Sequence, residues 1–349
     1  MSIFRNFYTR LSDRRSSPVY QISVLAVLTV ILALSVLASV GVGSVRITPM
    51  RIVMALFSSD LSSKDYQILY LVRIPRMLAA LLTGAALAVS GGILQSVLNN
   101  SLASPNIIGI NAGSGFFSIL ASVFLSVPAV YMPIPAFLGA LCTGLFVYMM
   151  AAKTGASRLS IVLAGIAVGS FLNAGIDAIL ILFPNVVSAR IDFMIGGFSG
   201  VSMGQISFAL VFILLGLTGA LLLSYDLNIL SLGGDMAASL GMNVKLSRFV
   251  FIAIATLLAG SAVSIAGLLG FIGLIVPNAA RVITGSDNRF LIPVCALMGA
   301  SFTLLCDLLA RVAFAPFEIP VGIILSFLGA PFFLYLIFCQ KKGHRHDGV

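Results

Sequence analysis

Residues 73–115 read RIPRMLAALLTGAALAVSGGILQSVLNNSLASPNIIGINAGSG. Arg73 and Arg76 bracket Ile74-Pro75 at the head of a long apolar run. The run ends in Asn99-Asn100-Ser101-Leu102-Ala103-Ser104-Pro105-Asn106, which carries many polar groups and no charge, and another apolar run follows at once. About 20 apolar residues suffice to cross the hydrocarbon of a bilayer as a helix, and residues 74–98 meet that length. One end of this segment is guarded by fixed positive charge, and the other is left neutral.

The same character runs through the 349 residues, of which 60% are hydrophobic and 9% charged. Soluble domains carry about 25% charged residues, so one integral membrane domain is expected and no sizeable soluble one. The net charge of +9 gathers at the ends, with Arg5, Arg10, Arg14 and Arg15 in the N-terminal arm and Lys341, Lys342 and Arg345 in the tail. Basic flanks mark the cytoplasmic face. Both termini are therefore expected inside, with an even number of spans. Membrane lipid accounts for this charge, and no basic stripe interleaved with aromatics points to nucleic acid. The first apolar run is too long for a cleavable signal and follows a polar arm.

Ten spans are expected, at 20–43, 74–98, 107–126, a fourth ending at 152, 159–183, 205–225, 249–268, 269–285 broken at Pro277, 290–314 and 320–339. The fold class is thus an all-α integral membrane bundle of about ten helices. Its parts are a cytoplasmic arm (1–19), a membrane domain (20–339) with an inner loop at 226–248, and a basic tail (340–349). The alternation puts about 13 of the 20 Lys and Arg inside and about 7 outside, in the direction expected. Small residues crowd the second span: Gly84, Ala85, Ala86, Ala88, Ser90, Gly91 and Gly92. Such faces let helices pack closely in lipid, or they line a path that must change width.

Several chemistries have no residues to carry them. There is no GxxxxGK[ST] phosphate loop and no HExxH, and His344 and His346 both lie in the tail. Cys142, Cys295, Cys306 and Cys339 sit in apolar segments without CxxC spacing and read as small buried residues. No metal site, no cofactor and no catalytic residue is expected. A proton-coupled carrier would place titratable groups deep in the bilayer. Asp177 and Asp307 each lie only about two turns from an outer end. Asn173 and Asp177, four apart on the fifth span, face a water-filled path or satisfy each other.

Three constellations remain. Arg73, Arg76 and Arg311 belong at the outer mouth against the positive-inside trend, so they want partners. Asp307 and Arg311, four apart, suit a local ion pair, and arginine is also suited to docking the carboxylates of a soluble partner. The inner turns NNSLASPN and TGASRLS are poor in charge. They read either as ordinary turn chemistry or as a mouth sealed by small groups that part cheaply. The inner loop SLGGDMAASLGMNVKLSR contains a short helix, with Asp235 near its start and Gly241 stopping it. That helix is a handle for another protein or a plain connector.

At these residues the sequence resembles the FecCD family, permease subunits of type II ABC importers for iron–siderophores, haem and cobalamin. The 73–115 stretch resembles the family's second and third spans, and LGGDMAASLGMNV its coupling loop. GLLGFIGLIVPNAARVITGSDNRFLIP and GASFTLLCDLLARVAFAPFEIPVGIILSFLGAPFFLYLI match its last third. The resemblance implies two permease subunits, identical or related, around one path in a bacterial cytoplasmic membrane. It also implies two cytoplasmic ATPase subunits and an extracytoplasmic binding protein. On that basis Arg73, Arg76 and Arg311 meet the binding protein. Asn100, Ser101 and Leu102, with Ala156, Ser157 and Arg158, form the cytoplasmic gate. Gly234, Asp235, Ala237, Ala238, Leu240 and Gly241 engage the ATPase. The family usually carries histidine where this chain has Asn278 and Asn288, and an amide can replace the hydrogen bonds of imidazole but not its protonation. A non-enzymatic permease for an iron chelate is the expected function, and a carrier driven by an ion gradient is the alternative. A membrane-embedded enzyme would need a polar cluster at one depth, for which Asn173 and Asp177 are the sole candidates.

Overall fold

The computed structural model describes residues 17–42, 63–125, 131–153, 157–184, 188–313 and 317–344. The basic arm, the outer segment with Arg46, Arg51 and Asp60, the gate residue Ala156 and the last five residues lie outside these. Among the described residues seven helices are long and apolar enough to cross a membrane. They are α1 (Pro18–Gly41), α2 (Lys64–Leu98), α4 (Pro133–Lys153), α5 (Arg158–Leu182), α7 (Met203–Leu222), α10 (Val244–Ala266) and α12 (Asn288–Val312). Three further expected spans are shorter apolar helices: α3 (Ile110–Phe124), α11 (Ile272–Thr284) and α13, apolar over Val321–Leu336 and running to His344. The chain is an all-α membrane bundle.

α2 is its axis. It packs against α12, α10, α11 and α7, and nearly every residue from Ala79 to Leu98 is buried. The small residues explain how. A methyl group at Gly84 would overlap the backbone of Gly299 on α12, and one at Gly91 would overlap Gly273 on α11. At both places backbone meets backbone, so the small residues of α2 serve close packing. α3, α4 and α5 form a second layer, joined to the axis through α10. Gly109, at φ +77°, lets the chain turn from the 3-10 turn Pro105–Ile108 into α3.

The structure corrects several boundaries. The second helix begins at Lys64 rather than Ile74. Pro75 has no N–H for the carbonyl four residues back, and the helix widens into a π turn over Ile68–Arg73 just ahead of it. Pro277 does not break α11. The carbonyl it leaves without a donor, that of Gly273, accepts the Gln95 side-chain amide of α2 at 3.3 Å. Within the expected outer segment, Ser188–Ile195 is a helix, α6, stitched by Leu268 N–H to Phe193 O at 2.9 Å and Gly197 N–H to Ala266 O at 2.8 Å. The expected inner loop is mostly helical: α8 (Ser224–Ser231), α9 (Gly234–Ser239), then α10 from Val244. Asn243 caps α10 by accepting the Leu246 N–H at 3.2 Å, so α10 starts five residues before the expected 249. Cys142 is exposed on α4, and Cys295 and Cys306 are buried as expected.

The contact between α2 and α11 can be tested directly. Gly91→Val should lower the thermal unfolding midpoint of the chain in lipid nanodiscs, because overpacking costs about 1–3 kcal/mol. Gly41→Ala, with nothing within 4 Å of the new methyl, should leave the midpoint unchanged. An unchanged midpoint in the valine variant would refute the backbone contact.

Candidate functional site

Polar side chains gather at the two ends of the bundle. At one end three arginines converge from α2 and α12. Arg76 points Nε at both oxygens of Asp307 at 3.1 Å, Nη2 at Oδ1 at 3.0 Å, and Nη1 at Glu318 Oε2 at 2.6 Å. Arg311 Nε reaches the other side of the same carboxylate, 3.1 Å from Oδ2. The local pair expected at four-residue spacing is present, and a third partner 231 residues away in the chain completes it. Asp307 is wholly buried.

The remaining donors close the end of α1. Arg73 Nη1 donates to Val40 O at 2.5 Å and Gly41 O at 3.2 Å. Arg311 donates to Ser39 O and Val42 O, both at 3.3 Å, and to Ser39 Oγ at 3.0 Å. The last carbonyls of a helix lack intrahelical donors and carry partial negative charge, so two guanidiniums from other helices cap α1. Exposure of the three arginines is 4, 7 and 4%. The expected docking residues are together, but turned inward. Glu318 and Ser39 were not singled out in the sequence, since their partners are remote in it.

The opposite end holds the expected gate and coupling residues. Asn99, at φ +45°, ends α2, and Asn100 N–H returns to Gln95 O at 3.0 Å. Asn100 Oδ1 accepts the Leu102 N–H at 2.9 Å, and Ser101 O accepts from Asn278 Nδ2 at 2.9 Å. Ser157 caps α5 through the Ser160 N–H at 3.0 Å. Arg158 Nη2 lies 4.0 Å from where a Cβ on Gly233, the residue ahead of α9, would stand. α9 closes as the sequence suggests. Gly241 adopts φ +84°, its N–H reaches Ala238 O at 2.9 Å, and the Met242 N–H reaches Ala237 O at 3.0 Å. Ala237 is buried, whereas Asp235, Met236, Ala238 and Leu240 are exposed. Asn173 and Asp177 share an exposed face of α5.

Asn278 and Asn288 are both hydrogen-bonded. Asn278 also donates to Leu274 O at 2.8 Å, and Asn288 bonds Asn228 and Ser96. Beside it, hydrogen bonds from Arg289, and then from Asn228, hold the Asp287 carboxyl below the usual carboxylate range despite partial burial. A depressed pKa stabilises the fold above the unfolded value of about 3.9 and is lost only as pH falls through the lowered one. At neutral pH this end does not titrate through Asp287.

Among the described residues no group of three His, Cys, Asp or Glu could hold a metal. The structure thus offers a buried charge cluster at one end and a neutral, hydrogen-bonded turn at the other. Asp307→Asn should destabilise the chain by about 3–5 kcal/mol, because it leaves buried guanidiniums uncompensated. Asp287→Asn, at an exposed pair with Arg289, should cost at most about 1 kcal/mol. Equal effects in chemical unfolding of the two variants would contradict the assignment of the buried cluster.

The comparisons bear on what such a bundle is. The sequence profile of the FecCD transport family matches residues 31–339. Over 329 residues the chain is 36% identical to the Fe(3+)-citrate import system permease protein YfmE of Bacillus subtilis (strain 168), covering 94% of this chain and 97% of that protein. It is 37% identical over 328 residues to the iron(3+)-hydroxamate import system permease protein FhuG of the same organism, covering 90% and 96%. Among solved structures, an inward-facing transporter assigned to the metal-chelate ABC type superposes with a TM-score of 0.78 at 30% identity, covering 90% of this chain and 99% of that one. A multi-pass helical bundle with this match along nearly its whole length belongs to the FecCD transport family of ABC importer permeases.

Proposed function

We propose that this chain forms half of the path by which an iron(III) chelate, of the citrate or siderophore type, crosses a bacterial cytoplasmic membrane. ATP hydrolysis on two separate cytoplasmic subunits drives the step, a second permease chain completes the path, and an extracytoplasmic protein delivers the cargo. The relatives that act on ferric citrate and ferric hydroxamate support the cargo class. In this reading both termini lie in the cytoplasm.

The observation that carries the reading is α9. Leu232, Met236, Leu240 and Leu246 are exposed on or beside a short helix that lies between spans rather than in one. An apolar surface outside the bilayer calls for a protein partner, and a helix set between α8 and α10 can pass motion of that partner into the bundle. Asn100, Ser101 and Leu102, with Ala156, Ser157 and Arg158, form the inner gate, and Asn173 and Asp177 face the path. The binding protein docks at the arginine end. Because Arg73, Arg76 and Arg311 have internal partners, its carboxylates engage them by exchange, and Glu318, with a side chain 32% exposed, is the partner most readily replaced.

The test is uptake of 55Fe-labelled ferric citrate and a ferric hydroxamate into proteoliposomes. The complete assembly should take up one of them only with ATP. Met236→Asp with Leu240→Asp should weaken ATPase retention at least about tenfold, as loss of central apolar anchors does. Uphill uptake by the chain alone on an ion gradient would replace this reading with a secondary carrier.

A further inference from the structure

Behind the turn at 99–102 lies a row of hydrogen bonds that the docking, gating and coupling residues do not include. Arg281 of α11 donates from Nη2 to Ser96 Oγ of α2 at 3.2 Å. Ser96 donates to Asn288 Oδ1 of α12 at 2.9 Å. Asn288 donates from Nδ2 to Asn228 Oδ1 of α8 at 2.8 Å, and its backbone N–H reaches the same oxygen at 2.7 Å. Asn228 donates in turn from Nδ2 to Asp287 Oδ1 at 2.7 Å. Every bond points the same way, from a guanidinium to a carboxylate, across four helices.

The row is costly to place, and each of its side chains is bonded to the next. Ser96 is 3% and Asn288 1% exposed. A buried amide or hydroxyl without a partner costs about 1–3 kcal/mol, so an apolar pair would pack here with less risk. Directional chains of this kind strengthen each bond through its neighbours. They also resist sliding, because moving one helix breaks a donor–acceptor match. Members of the row adjoin the coupling helix and the turn after α2. Asn228 sits on α8, which packs on α9. Ser96 lies one turn before the end of α2, and its carbonyl receives the Asn99 N–H at 3.3 Å. On α11, one turn from Arg281, Asn278 holds Ser101 O.

We propose that Asn228, Asn288, Ser96 and Arg281 act as a positioning relay that fixes the 99–102 turn to the α8–α9 helix pair, so that displacement of the pair moves the turn. The transport role of this relay rests on the function proposed above. Its existence as a mechanical link does not, and the two are tested separately.

The link is read by hydrogen exchange at the amides of residues 99–104, with the chain alone in lipid nanodiscs and no cargo or nucleotide. Asn228→Ala, on another helix, should speed exchange there about tenfold, the effect of losing roughly one buried hydrogen bond. Asn288→Asp, which only accepts and so cannot donate to Asn228, should do the same. Asn288→His should stay within about twofold of wild type, since neutral imidazole keeps one donor and one acceptor. The double variant Asn228→Ala/Asn288→Ala should be no faster than either single one, as expected for one connected unit. Unchanged exchange at 99–104, or equal acceleration throughout α2, would overturn the relay. Where an asparagine variant fails to fold, Ser96→Ala decides by the same two criteria. In the assembled transporter, the relay variants should move about tenfold less ferric chelate per ATP hydrolysed, whereas a purely structural defect lowers both together. If the wild-type assembly moves no ferric chelate, the proposed function falls and the exchange result still decides the link.

Discussion

The structure depends on how closely α2 approaches α11 and α12. At Gly84 and Gly91 no side chain separates the helices, and a single added methyl would meet backbone. In lipid there is no hydrophobic gain from bringing helices together, so association relies on such contact and on polar groups between helices. Once α2 is seated in this way, its two ends are fixed relative to the rest of the bundle. Arg73 and Arg76 then lie within reach of α1 and Asp307, and Ser96 within reach of Asn288 and Arg281.

The two ends use opposite chemistry for a physical reason. At the arginine end Asp307 is buried between two guanidiniums, and separating such groups exposes uncompensated charge in a medium that cannot solvate it. That end holds α1, α2 and α12 together. At the other end the turn after α2 is held by amide and hydroxyl contacts, each worth about 1 kcal/mol. Contacts of that strength cost far less to break than a buried ion pair. The distribution of charge along α2 thus gives the bundle one firmly held end and one held by weaker contacts.

Much of this was legible in the sequence. Ten apolar runs corresponded to ten helices because burial in lipid demands a contiguous stretch, which is a local property. The Asp307–Arg311 pair and the stop at Gly241 were visible because helix spacing and glycine conformation act within a few residues. Arg76 with Asp307 was not visible, since the partners are 231 residues apart and no spacing rule reaches that far. The helices Ser188–Ile195 and Ser224–Ser231 are not visible because each is only eight residues long, too short to show as a span. No spacing rule singles out Asn228, because its partner Asn288 lies 60 residues away in the chain.

Pro277 shows how an imperfection can carry information. By withholding one N–H it leaves the carbonyl of Gly273 open, and that opening is answered from outside its own helix by Gln95. A vacancy in the ladder of α11 becomes an address that a single side chain on α2 can read. Sliding α2 along α11 by one residue would carry the amide past it. The register of the two helices is thus written by an omission in one of them, beside the point where Gly91 and Gly273 bring the backbones together.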